Sequence, residues 1–114
     1  MTTQISIMGP TDDDPDAEPR VYMPCGEAPA DEAVLAAGHQ PNGYFWQSLI
    51  EYLKERDDLR LELEFDCESG TFVAKGEMSS VERVRTLLQV YTQDPQAVTE
   101  VIAEAARSGF GFDD

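Results

Sequence analysis

The stretch Asn42–Arg56, NGYFWQSLIEYLKER, sets three aromatic residues side by side, the chain's single Trp among them. It follows a segment broken by Gly38 and Pro41. Whether Tyr44, Phe45 and Trp46 point inward or stand on the surface decides how the chain folds. Asn42 is a good N-cap, because its side chain can accept from the first free N–H groups of a helix. Beyond it, Phe45, Trp46, Leu49, Ile50 and Leu53 recur at spacings of one, three and four, which lays a single apolar stripe along a helix. Phe45 and Trp46 share that stripe with the leucines and are expected in the core, where such bulk packs. Tyr44, at the helix start, can keep its hydroxyl in water.

Downstream, Leu61, Leu63 and Phe65 alternate with Glu62, Glu64 and Asp66. A period of two marks a strand with one wet face. CESG, Cys67–Gly70, reads as a turn with Gly70 at positive φ, and Phe72 and Ala74 fall on the inner face of a return strand. Ser79 and Glu82 have the spacing of a capping box, opening a helix striped by Val81, Val84, Leu88 and Tyr91. Asp94-Pro95 reads as N-cap and first residue of a last helix. Val98, Val101, Ile102 and Ala105 line that helix, and Gly109 ends it. Upstream, Gln4–Met8 and Arg20–Met23 are strand candidates, separated by a Pro- and Asp-rich loop at about 10–19. Asp31–Ala37 predicts a short helix stopped by Gly38. The tail GFGFDD offers Phe110 and Phe112, which either dock or dangle. The pattern predicts one α+β domain over 1–114, a small, mostly antiparallel sheet with helices packed on one face.

The chain has 114 residues and needs no disulfide or metal staple at that length. Its 23 acids against 8 bases give a net charge of −15. That charge argues against nucleic acid and against anionic membranes as partners and permits steered association with a basic protein; an equal reading is that the acids only keep the chain soluble. Cys25 and Cys67 are far apart and form no zinc spacing, and the start carries no secretory signal pattern, so a cytoplasmic protein with reduced thiols is expected. His39, alone in a turn, reads as a local hydrogen-bonding residue rather than a base. No P-loop, GxSxG or GxGxxG-helix pattern occurs. The run DDDPDAE lacks the alternation and central Gly of a calcium loop. No catalytic residue, metal or cofactor is expected.

The segments NGYFW and FDCESGTFVAKG together resemble the Imm51-type immunity proteins of bacterial polymorphic toxin systems. The resemblance spans Gly38 to Tyr91 and rests on Asn42, Gly43, Tyr44, Phe45, Trp46, Phe65, Asp66, Glu68, Gly70 and Phe72; the N-terminal third lies outside it. It implies a cytoplasmic, non-enzymatic protein that binds and neutralises a cognate toxin domain. An acidic face would suit a basic toxin, such as a nuclease. On that reading Asn42, Gly43, Phe45, Trp46, Glu68, Gly70 and Phe72 hold the fold. Glu62, Glu64 and Asp66, with Tyr44, Asp12, Asp13 and Asp14, meet the partner. Lys75 is a candidate cross-strand mate for the acidic ladder, register permitting; if it serves as one, the ladder reads as an ordinary solvated face. Two other classes compete: a regulatory or scaffold domain binding a basic protein, and a small enzyme using paired carboxylates.

Overall fold

The computed structural model describes residues 4–112; the outermost residues of the expected domain, 1–3 and 113–114, lie outside that range. In chain order the elements are β1 (Ser6–Met8), β2 (Arg20–Pro24), α1 (Asp31–Ala36), α2 (Gly43–Arg56), β3 (Leu63–Phe65), β4 (Thr71–Gly76), α3 (Met78–Gln93) and α4 (Pro95–Arg107). The strands form one antiparallel sheet in the order β1-β2-β4-β3. The fold is the expected small α+β arrangement.

The register explains why one face is dry. Val21 lies opposite Ala74, Met23 opposite Phe72, and Phe65 opposite Ala74. Val21, Met23, Phe72 and Ala74 are all fully buried. The alternate residues Arg20, Tyr22, Glu64 and Asp66 are exposed, as the period of two requires. Helix α2 packs on β4, and α3 packs on β1, β2 and β4; α4 forms a further layer against α3 and α1. The stripe of α2 reaches the core as expected: Phe45, Trp46, Leu49, Ile50 and Leu53 have no exposed surface. Tyr44 is 41% exposed. Asn42 caps the helix, its Oδ1 accepting from Phe45 N at 2.9 Å.

The tail docks. Phe112 stacks on Phe45 with ring centroids 5.1 Å apart, and Phe110 lies 5.2 Å from Tyr52. His39 closes the group, its ring 5.2 Å from Phe112 and 5.8 Å from Phe45.

Three local expectations fail for identifiable reasons. Ser79 does not cap α3. The helix starts at Met78, one residue after β4 and an extended Glu77. Val81 N already donates to Glu77 O, so Ser79 and Glu82 lie inside the helix and no side chain caps it. Gly70 does not adopt positive φ. The turn is closed by paired bonds between Glu68 and Thr71, and the Gly70 carbonyl faces β2 and accepts from Cys25 N at 3.0 Å. Finally, β3 is shorter than its alternation. Leu61 is buried but precedes the strand.

Candidate interaction surface

Two segments distant in sequence meet at Gly43. Its N–H donates to Ser69 O at 3.3 Å. A Cβ built there would run into the carbonyl oxygens of Glu68 and Thr71. The start of α2 therefore sits directly on the tip of the β3–β4 hairpin, and only glycine allows that approach. Asn42 caps the helix, Gly43 admits the hairpin, and Phe45 and Trp46 fill the core beneath, packed edge to face at 5.0 Å. Phe72 anchors the other side, 5.9 Å from Phe65. Glu68 and Gly70 act here through their backbones.

The acidic ladder lies on β3 and its flanks, at one edge of the sheet. Glu62, Glu64 and Asp66 are exposed on the outer face. The register sets Glu64 directly opposite Lys75, and Lys75 Nζ comes within 3.9 Å of Asp66 Oδ2. Lys75 is thus the cross-strand mate that the sequence left open, and beside it the three-residue ladder on its own reads as an ordinary solvated face. At that distance, with Asp66 71% exposed, Lys75 and Asp66 make a weak surface pair. Arg20 lies opposite Lys75 on its other side, so two cations stand between the ladder and β1.

A depression of about 450 Å³ at this edge gathers more charge than the ladder alone. Glu18, Glu62, Glu64 and Glu77 line it, together with Lys54 and Lys75. Glu18 and Glu77 were not legible as partners in the sequence. Glu18 arrives because Gly76 N donates to Pro19 O at 3.1 Å, pinning the end of the acidic loop beside β4. Glu77 arrives because β4 runs almost directly into α3. Neither fact has a local pattern.

The other expected contact residues lie elsewhere. Asp12, Asp13 and Asp14 are exposed in a turn closed by Thr11 N to Asp14 O at 3.0 Å, and none of them lines this depression. Tyr44 lines a separate one, with Gln47, Ser48, Glu51, Phe110 and Gly111. The seven candidates do not form one patch.

The thiols serve packing. Burial first, then neighbouring Cys67 and Asp31, push the Cys25 thiol up to about 12. Burial also raises Cys67, which accepts from Val73 N at 3.4 Å. Both are protonated at neutral pH and poor nucleophiles. Asp31 is raised by burial, while its Oδ2 accepts from Ala28 N at 3.2 Å. Among the described residues, no helix is long and apolar enough to cross a membrane, and no cluster of His, Cys, Asp and Glu could hold a metal ion. No protein-family model, curated protein or solved structure matches the chain.

Proposed function

We propose that this chain is a non-enzymatic immunity protein of the Imm51 type, which binds a cognate bacterial toxin domain in the cytoplasm and covers it with an acidic surface. The observation that carries the reading is the β3 edge. Glu62, Glu64 and Asp66 stand exposed in alternation on a rigid sheet, with Glu18 and Glu77 beside two of them. Lys75 answers only part of that charge. Lys54, lining the same depression, and Arg20, opposite Lys75, offset more of it, and five carboxylates against these three cations leave a net acidic strip in a protein of net charge −15. Such a strip speeds encounter with a basic domain and rejects acidic ones. The motif aromatics support the reading differently: they fix the helix against the hairpin that bears the strip.

Affinity capture from the native host, with the full chain as bait, tests this. Recovery of a toxin domain encoded beside this chain, lost when Glu62, Glu64 and Asp66 are replaced by their amides, is the expected result. Recovery of regulatory or metabolic proteins alone would favour a scaffold domain for a basic partner instead.

A further inference from the structure

The β3 strand is an edge that nothing in the described fold completes. It pairs with β4 on one side, and no strand lies on the other. The ladder shows which backbone groups are left over. Asp66 N donates to Val73 O at 2.9 Å. Hydrogen-bonded and non-hydrogen-bonded pairs alternate in an antiparallel ladder. The Glu64–Lys75 pair is therefore hydrogen-bonded, and the Leu63–Gly76 and Phe65–Ala74 pairs are not. Gly76 agrees, since its N–H turns the other way, to Pro19 O. The N–H and C=O groups of Leu63 and Phe65 consequently face the open edge. Neither N–H has a partner among the described residues.

The side chains on this edge are incomplete in a matching way. On the inner face Leu63 and Phe65 pack against the core but stay only half-buried. On the outer face Glu62, Glu64 and Asp66 repel one another. A strand added here would cover the first pair and neutralise the second set. A second copy of this chain cannot be that strand, because pairing β3 with β3 would bring carboxylates against carboxylates. The opposite edge, β1, carries no charge over Ser6–Met8 and offers no such selection.

We propose that β3 accepts an extended segment of the partner as a fifth strand, and that this segment alternates cationic and apolar residues. Its cations lie over Glu62, Glu64 and Asp66, and its apolar residues over Leu63 and Phe65. Main-chain bonds to Leu63 and Phe65 fix the register, and the alternation supplies specificity. For the source of the strand, a toxin domain, this rests on the immunity reading; the strand-accepting edge stands on the geometry.

The test uses the isotopically labelled full chain and two peptides of equal composition, one with Lys and Val alternating and one with its Lys and Val in separate blocks. The alternating peptide is expected to shift the Leu63 and Phe65 amide signals and slow their exchange. It should bind about tenfold more tightly than the block peptide, because three cross-strand charge pairs and the edge bonds act only in register. Replacing Glu62, Glu64 and Asp66 by their amides, all exposed and so harmless to folding, should remove that advantage. Equal binding of the two peptides, or unchanged Leu63 and Phe65 amides, would overturn the proposal. The two readings fail separately. A captured toxin indifferent to the amide variants defeats the edge, and with it the acidic mode of contact, and leaves only toxin binding itself standing. Tight peptide pairing with no toxin in the native host does the reverse.

Discussion

At position 43 a side chain has nowhere to go. The atoms in the way are the Glu68 and Thr71 carbonyls, which belong to a hydrogen-bonded turn and cannot rotate aside. Gly43→Ala should therefore cost about 1–3 kcal/mol, the range for overpacking a rigid site. Urea unfolding followed by Trp fluorescence would read this as a lower midpoint at unchanged slope; an unmoved midpoint would mean the hairpin tip yields. Trp46→Ala, at a fully buried site, should cost about 3–5 kcal/mol, a large share of the roughly 5–15 kcal/mol of a typical domain, read by circular dichroism since the variant has no Trp. The Cys25 thiol is raised in the fold from 9.0 to about 12, so the folded state holds a proton that the unfolded chain releases. Its contribution is intact below pH 9 and is lost as pH climbs from 9 toward 12. Cys25→Ala should flatten the stability curve over that window. These positions were unequally legible. Asn42, Phe45 and Trp46 announce their roles through spacing. Gly43 does not, since its constraint comes from a hairpin far along the chain.

The elements repeat this division. The α2 stripe and the β3–β4 alternation were readable because each is a local period that burial enforces. Where one element runs straight into the next, local signals misled. Ser79-x-x-Glu82 has the right letters for a cap, but β4 delivers the chain into α3 too early for them to act. That contrast is measurable. Asn42→Ala and Asp94→Ala each remove a cap that accepts backbone N–H groups and should cost about 0.5–2 kcal/mol. Ser79→Ala, exposed and capping nothing, should stay within about 0.5 kcal/mol of the parent. A Ser79 cost equal to that of Asn42 would restore the capping box. The order β1-β2-β4-β3 was illegible for a related reason. Only the β3–β4 hairpin is a neighbour pairing marked by its own turn, while β2 finds β4 through the shared core formed by Val21, Met23, Phe72 and Ala74. The acidic site inherits this: its ladder was visible, but Glu18 and Glu77 join it only through topology.

At the scale of the whole molecule, one quantity acts on folding and on binding with opposite sign. The chain's net charge of −15 repels itself in the compact state. The ion pairs described are few, Arg56 with Asp57 and Glu104, and Lys75 with Asp66, and their side chains are partly exposed, so they offset little. Salt screens the long-range repulsion more than it weakens these contacts. Raising NaCl to about 0.5 M should therefore stabilise the fold by on the order of 1 kcal/mol, a rise in Tm of about 4–8 °C for a domain this size. Association with a basic partner should respond the other way. Its on-rate depends on the same field, and the same salt should slow it by about tenfold or more, leaving the dissociation rate less affected. Thermal melts and stopped-flow association over one salt series separate the two effects. If salt lowered stability instead, the acids would be engaged in internal pairs that hold the fold together; an on-rate indifferent to salt would mean that the β3 edge has no charge to spare for a partner.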